Sequence, residues 1–351
     1  MYLGFKKYKR PSKKLTESVS VIVAVKNEAL NIERLLASIC VQNYSDYDII
    51  IVDDHSSDNS FELLESFQKK YTNLNVFKAN YPLAKSSKKM ALTQAIKASR
   101  ASYLLFTDAD CYPSTSNWIQ SMVNHTSGKD IVLGISPYEK RKGLVNAMIQ
   151  FETGITYFLY ASASLWGMPY MGVGRNLLVK KELLVSVNFY EKHLDTVGGD
   201  DDLTINELAT SKNTRVNLSS DSVVYSQPLE SYRSRFWQKI RHFSVGKYYN
   251  VTSKVFLGII NTSWIVINLL FFICLAYNIN LVPIITLHIL RTVLLFLIFD
   301  GLTKRSTVYS LGLKSVYLDN LYSLELLILG PLGLLSKKIV WQKKNSFQKK
   351  P

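Results

Sequence analysis

Cysteine is scarce in this chain: Cys40, Cys111 and Cys274 are the only three among 351 residues, and they are widely scattered. That excludes a disulfide scaffold and a cysteine zinc cluster, and it fits a reducing compartment. Two glycine signatures are also missing. There is no G-x-G-x-x-G and no G-x-x-x-x-G-K-[ST], so neither a dinucleotide fingerprint nor a phosphate-binding P-loop is present. Acid is in short supply, with 27 Asp and Glu against 42 Lys and Arg, for a formal net charge of +15. Most of the excess lies at the ends. Residues 1–16 hold six basic groups (Lys6, Lys7, Lys9, Arg10, Lys13, Lys14) and residues 336–351 six more (Lys337, Lys338, Lys343, Lys344, Lys349, Lys350), with no acid in either. The remainder has 30 basic and 27 acidic groups and is close to neutral, so no nucleic-acid partner is expected. An apolar content of 47% excludes a disordered chain, and the length suits about two domains.

Charge is absent altogether from Val255 to Leu290. Val255–Tyr277 is 23 residues long, enough to cross a hydrocarbon core of about 30 Å at about 1.5 Å per residue. Asn278-Ile279-Asn280 reads as a tight turn, and Leu281–Phe299 as a second span interrupted by Arg291. A third apolar run, Leu321–Leu335, contains Glu325 and the breaker Gly330-Pro331-x-Gly333. Arg233, Arg235, Lys239, Arg241, Lys247 and Lys254 precede the first span, and Lys304, Arg305 and Lys314 follow the second, whereas the turn has no basic residue. Two crossings with the turn outside place every basic region in the cytoplasm. The third run is then expected to be re-entrant or interfacial, since a simple crossing would export the basic tail. Arg291 lies mid-span, serving either a polar pathway or lipid-phosphate contact, or else a pairing with another helix. The basic start lacks an apolar h-region, so no signal peptide is expected before residue 20.

Residues 19–107 alternate between strand and helix. Val19–Val25, Tyr47–Val52, Asn75–Ala79 and Tyr103–Phe106 read as strands, and Ala29–Cys40, Asp58–Lys70 and Ser86–Ser99 as helices. This rhythm predicts an α/β fold with a parallel sheet covered on both faces. Ligands of such sheets bind at the carboxyl ends of the strands. There the chain places Lys26-Asn27-Glu28, Asp53-Asp54-His55-Ser56-Ser57-Asp58 and Thr107-Asp108-Ala109-Asp110.

Carboxylates stand where nucleotide folds often present glycine. They repel a diphosphate unless a divalent cation lies between them, and Asp108 and Asp110 at a strand end can ligate Mg2+ or Mn2+. A helix cap or turn is the alternative. Asp53 and Asp54 can accept from a base N–H or ribose hydroxyls, or merely close a turn, with Ser57 or Asp58 capping the following helix. Lys85, Lys88 and Lys89 open the next helix; being adjacent, Lys88 and Lys89 cannot both point into the site. The run Gly198-Gly199-Asp200-Asp201-Asp202-Leu203 crowds three like charges before a helical pattern. One Asp serves there as N-cap and another as a general base. Separate metal and base carboxylates are what direct displacement at an anomeric carbon needs. Trp237-Gln238-Lys239-Ile240-Arg241-His242-Phe243, just before the first span, reads as an amphipathic interfacial helix.

The order of these motifs resembles a membrane-bound family 2 glycosyltransferase, related to cellulose, chitin and hyaluronan synthases. Asn27-Glu28 with Ile51–Asp58 is similar to the family's opening nucleotide-binding half, and Ser86-Ser87-Lys88-Lys89-x-Ala91-Leu92 to its lysine-bearing helix. Asp108-Ala109-Asp110 matches its Asp-x-Asp motif, Asp200-Asp201-Asp202-Leu203 its base motif, and Gln238-x-x-Arg241-His242 its Gln-x-x-Arg-Trp motif. The resemblance covers about residues 19–250 and the C-terminal spans.

It implies a GT-A fold (Rossmann-like, mostly parallel), an inverting mechanism, a nucleotide-sugar donor that is often UDP-linked, and a divalent cation, Mg2+ or Mn2+. Carried over, Asn27 and Glu28 belong to the donor site, Asp54 with Asp53 would bind the nucleoside, and Lys88 would approach the phosphates. Asp108 would sit near ribose and metal, Asp110 would ligate the metal, and Asp200, or else Asp201, would be the base. Gln238 and Arg241 would lie over donor and acceptor. His242 replaces the motif's Trp, Gly199 replaces the usual acid, and the spans are few. Together these departures point to single transfer onto a lipid-linked or other glycan acceptor rather than processive synthesis. The expected layout is a basic tail (1–18), a catalytic domain (19–250), a membrane region (251–335) and a second basic tail (336–351). The protein is expected in the plasma (inner) membrane as a multi-pass protein in contact with the lipid bilayer, its catalytic domain cytoplasmic. A catalytically inactive nucleotide-binding membrane scaffold is the alternative.

Overall fold

The computed structural model describes Tyr8, Pro11 and residues 13–85, 87–186, 198–306 and 314–336. The basic residues Lys6, Lys7, Lys9 and Arg10, those from Lys337 onward, Ser86, and the side chains of Lys85, Lys304 and Arg305 lie outside the described residues.

Strands β1 (Val19–Val25), β2 (Tyr47–Asp53), β3 (Leu74–Lys78) and β4 (Tyr103–Phe106) are mutually parallel. They continue through β7 (Leu177–Lys180), β6 (Ile131–Leu133) and β8 (Thr214–Val216) in the order β3-β2-β1-β4-β7-β6-β8. Of these seven only β7 runs opposite, pairing antiparallel with both β4 and β6. A separate ribbon joins β5 (Cys111–Pro113) to β9 (Val224–Ser226).

The β-branched run of β1 explains its central place. Val19, Val21, Val23 and Val25 pack on one face, beside Ile32, Leu35, Leu36 and Ile39 of helix α1 (Ala29–Ile39). Ile22 packs on the other, with Ala91, Leu92 and Ala95 of helix α3 (Lys88–Ala98). A strand buried on both faces needs an apolar residue at nearly every position. Helix α2 (Ser60–Gln68) sits beside β3 and α1. Short helices α4 (Trp118–Val123), α6 (Lys181–Ser186) and α7 (Asp202–Leu208), and the long α5 (Leu144–Leu165), complete the domain. Because Val25 pairs with Asp53 and Ile22 with Phe106, the loops after β1, β2 and β4 all leave the sheet on one edge. The chain turns sharply there, through left-handed Asn27 (φ 54°) and His55 (φ 56°).

Three helices at the carboxyl end are long and apolar enough to cross a membrane: α9 (Val251–Ala276), α10 (Leu281–Ser306) and α11 (Lys314–Leu335). Their mean hydropathies are 2.1, 2.3 and 1.3. α11 begins seven residues before the apolar run at Leu321, because Asp319 finds partners. Trp264 Nε1 donates to Asp319 Oδ1 over 2.7 Å, and Arg291 Nη2 does so over 2.7 Å. Of the two sequence readings of Arg291, the geometry thus supports pairing with a neighbouring helix. Ser315, Leu318, Asp319, Tyr322, Glu325, Leu326, Leu329 and Gly333 form one buried stripe at helical spacing. That stripe lies against α5, α9, α10 and helix α8 (Tyr232–Val245).

A buried charge network holds α11 to the catalytic domain. Arg235 and Lys239 of α8, each 2% exposed, meet Glu325 of α11 at 2.6 and 2.9 Å and Glu152 of α5 at 2.8 and 3.3 Å. Burial pushes the Glu152 carboxyl up, but Lys239 and Arg235 outweigh it and hold it below the usual range. Removing one partner from such a network leaves uncompensated buried charge. Glu325→Ala should therefore cost about 3–5 kcal/mol, measured by denaturant unfolding of the detergent-solubilised protein. Unchanged stability would show that the network contributes nothing.

Candidate functional site

Lys88 is the first residue of α3, whose N-cap Ser87 accepts from Met90 N at 3.3 Å. Its ammonium lies 2.8 Å from Asp108 Oδ1 and 2.7 Å from Asp200 Oδ2. One lysine thus joins the loop after β4 to the loop before α7. Burial lowers the Lys88 pKa, but Asp108, Asp200 and Asp201 outweigh it and raise it well above its ordinary value. Asp200 is pushed up by burial and drawn down further by Lys88, so it ends below the usual carboxylate range. It is therefore ionised at neutral pH and able to accept a proton. The space between these groups and Asp201 is about 10 Å³, room for a single water.

The three consecutive aspartates separate by geometry. Asp201 is the N-cap of α7: its Oδ1 accepts from Asp202 N at 2.9 Å and its Oδ2 from Gly174 N at 2.5 Å. Both oxygens are committed to backbone amides. Asp202 turns away and accepts from Tyr249 Oη at 2.8 Å. Of the three, Asp200 is the one in ion-pair contact with Lys88. Gly198 (φ 84°) and Gly199 (φ 75°) set up this loop, and a Cβ on Gly199 would fall 2.6 Å from Leu203 Cδ1. Left-handed backbone and crowding by Leu203 explain why glycine stands here in place of an acid.

On the first two loops, Asn27 and Glu28 act as a brace. Asn27 Oδ1 accepts from Ser57 N at 2.7 Å, and Glu28 N donates to Ser60 Oγ at 2.9 Å. Glu28 Oε2 accepts from Asn31 Nδ2 at 2.5 Å. Asp54 is fully buried, with Tyr81 Oη donating to Oδ1 at 2.8 Å and Lys26 Nζ at 3.4 Å from Oδ2. Asp53 differs: Oδ2 accepts from Ser56 N at 3.1 Å, but Oδ1 is buried with no hydrogen-bond partner. Its acceptor capacity remains open, which makes it the better placed of the pair for a nucleoside donor group. Asp58 Oδ1 accepts from Ser60 N at 3.0 Å and so caps the start of α2.

Helix α8 approaches the site from the side of α11. Gln238 Nε2 donates to Tyr138 Oη at 3.1 Å. Arg241 passes the Gly198 loop, where a Cβ on Gly198 would lie 3.6 Å from Arg241 Cγ. Sequence reasoning missed Tyr81, Tyr138 and Arg175. The guanidinium of Arg175 stacks 4.3 Å over the Tyr138 ring. The available signal was the glycine pair in Gly172-Val173-Gly174-Arg175-Asn176. A Cβ on Gly172 would sit 2.9 Å from Leu133 Cδ2, so close packing requires glycine.

No group of three or more His, Cys, Asp or Glu side chains able to hold a metal occurs among the described residues. The donor set fits a hard divalent cation shared with a ligand. Burial, Asp108 and Glu28 push the Asp110 carboxyl up to about 6, against the opposing effect of Arg175. Two crowded carboxylates so placed gain from a cation, whose other positions phosphate oxygens and water would fill.

Burial and Asp201 likewise raise the Asp202 carboxyl to about 7. Between about pH 4 and 7 the folded state therefore binds a proton that the unfolded state has released, and stability falls as pH rises through that window. Asp202→Asn should flatten this decline, read from denaturation midpoints at pH 4.5 and 8; an unaltered slope would assign the effect to another group.

Residues 20–184 match the model of the family described as Glycosyl transferase family 2. Glycosyltransferase AglE of Haloferax volcanii is 32% identical over 117 residues, 33% of this chain and 37% of that protein. Beta-monoglucosyldiacylglycerol synthase of Trichormus variabilis is 28% identical over 137 residues, 38% of this chain and 28% of that protein. The chain thus spans less than half the length of both curated relatives. The solved structure of the mannosyltransferase PcManGT from Pyrobaculum calidifontis, in complex with GDP-Man and Mn2+, superposes with a TM-score of 0.55 at 17% identity. That superposition covers 92% of this chain and 93% of that one, and the likeness establishes a shared GT-A-type fold.

Proposed function

From the premise that residues 20–184 are a family 2 glycosyltransferase domain, we propose that the chain moves a sugar from a nucleotide-sugar, most simply a UDP-sugar, onto a lipid-linked or glycan acceptor. Transfer inverts the anomeric centre and takes place at the cytoplasmic face of the membrane. The observation that carries this reading is the approach of Asp108 and Asp200 to within 2.8 Å of one ammonium. The metal-side and base-side carboxylates therefore face a common point, where a sugar's anomeric carbon can sit.

In this mechanism Asp53 and Asp54 receive the nucleoside, and Asn27 and Glu28 hold the loops that carry them. Asp108 and Asp110 hold Mg2+ or Mn2+, which when bound offsets the charge of the departing diphosphate. Lys88 leaves its two carboxylates to meet a phosphate oxygen. Asp200, ionised and freed of Lys88, accepts the proton of the attacking hydroxyl, while Asp201 keeps the loop in place through Gly174. Gln238 and Arg241 cover the donor from α8. The nucleophile's hydroxyl and the leaving diphosphate lie on opposite sides of the sugar, which is why inversion follows.

The bilayer assignment rests on α9 and α10, whose apolar side chains are largely exposed, and on the basic residues flanking them. It places the catalytic domain at 19–250, the spans at about 255–277 and 281–299, and α11 as a re-entrant or interfacial element under the catalytic domain. A lipid-borne acceptor is supported by Tyr232, Trp237 and Tyr248, exposed aromatics next to α9. Relatives named for glycolipid synthesis agree with it.

Membranes bearing the protein should release nucleoside diphosphate from one member of a nucleotide-sugar panel, and chelation should abolish release. Asp110→Asn and Asp200→Asn should each lower turnover at least about 100-fold. Undiminished turnover in both variants would end this reading.

A further inference from the structure

Arg175 stands at the meeting point of the three motif groups, yet no motif contains it. Its backbone is pinned on both sides. Gly174 N donates to Asp201 Oδ2 at 2.5 Å. Asn176 is fully buried; its Nδ2 donates to Ile135 O at 2.8 Å and Ser222 O at 2.5 Å, and Trp118 Nε1 donates to its Oδ1 at 3.0 Å. The side chain is held flat against Tyr138, the same ring whose hydroxyl accepts from Gln238. Asp108 and Asp110 feel its charge, and it opposes the upward push on Asp110. Among the described residues, its Nη1 is buried with no hydrogen-bond partner.

Such an arrangement is costly. A buried donor without an acceptor loses solvation and recovers nothing, and on a charged group the loss is larger. Nearby carboxylates could have closed the gap with an ion pair, but the bonded partners of Asp201 and Asp200 are backbone amides and Lys88 instead. A rigidly aimed guanidinium with an open N–H suits an anion able to accept from its fork through two oxygens, as a phosphate arriving from outside can.

Resting on the glycosyl-transfer reading above, we propose that Arg175 is a donor-binding residue that grips the diphosphate of the nucleotide-sugar from the Tyr138 side, opposite Lys88. The open Nη1 is filled by a phosphate oxygen, and the same contact persists on the released nucleoside diphosphate. Tyr138 sets the plane of the guanidinium, so Gln238 and Arg175 are coupled through one ring.

The test is equilibrium binding of UDP, GDP, UMP and GMP, with Mg2+, to the purified full-length protein and its Arg175→Ala and Arg175→Lys variants. Arg175→Ala should weaken the bound diphosphate about tenfold or more while changing the matching monophosphate less than about threefold. Arg175→Lys should fall between, because an ammonium supplies charge without the fork. Equal losses for mono- and diphosphate, or none for either, would overturn the assignment. Should Arg175→Ala unfold, Arg175→Gln, which keeps the stem on Tyr138, is read by the same mono- to diphosphate ratio. Wild-type protein that binds neither UDP nor GDP would instead remove the glycosyl-transfer reading itself, whatever the variants do.

Discussion

The fold gathers Asp108, Asp110, Asp200 and Asp201 at one edge of its sheet, and Lys88 is what lets them stay there. Like charges at such distances repel by several kcal/mol wherever water is partly excluded. The Lys88 ammonium bridges the two sets, 2.8 Å from one and 2.7 Å from the other. It can do so because Ser87 caps α3 at that point, aiming the first side chain of the helix across the strand ends. The backbone takes up part of the remaining charge, since Asp201 spends both oxygens on amides. The loop that carries Asp200, the proposed base, is thus fastened by Asp201, which sequence alone leaves as a second choice for that role.

A second charge network links this side of the domain to α11. Arg235 and Lys239 point from α8 into a pocket closed by Glu152 and Glu325, while Gln238 and Arg241 leave the same helix toward the site. One helix therefore carries two sets of polar side chains with different destinations. Its position over the site depends on Glu325, a residue of the most hydrophilic of the three apolar helices. Gly333 allows α8 and α11 to touch at Phe243 and Ile240. Gln238 and Arg241 are in this way registered against α11, the most buried of the three apolar helices.

Much of this was legible in the chain. The β-branched runs mark β1 and β2 because strands buried on both faces have no polar face to disguise them, and parallel strands put their polar followers on one edge. The uncharged stretch from Val255 to Leu290, which spans most of α9 and the start of α10, is equally direct. What escaped depends on contacts between distant segments. Nothing near Asp200 tells which neighbour caps the helix; that follows from Gly174, which approaches only once β7 is in the sheet. Tyr81 and Arg175 looked like ordinary residues until their partners Asp54 and Tyr138 were in place. The early start of α11 was hidden because Asp319 reads as a break in an apolar run, and only its pairing with Trp264 and Arg291 makes it tolerable there.

The charge pattern at the sheet edge also bears on how a diphosphate could enter. Lys88 is already held by two of the acids there, Asp108 and Asp200. A nucleoside diphosphate adds further negative charge to a region that is short of positive charge before it arrives. Moving Lys88 to a phosphate oxygen strips Asp108 and Asp200 of their partner, so the lysine cannot serve both without a substitute. A divalent cation held by Asp108 and Asp110, as proposed above, would offset the charge of Asp108 and of the phosphates once the lysine has moved. Burial first, and Asp108 and Glu28 after it, push the Asp110 carboxyl up in the same place. The proposed metal requirement and the mobility proposed for Lys88 are then one electrostatic condition at Asp108, and they leave Asp200 open to an incoming hydroxyl.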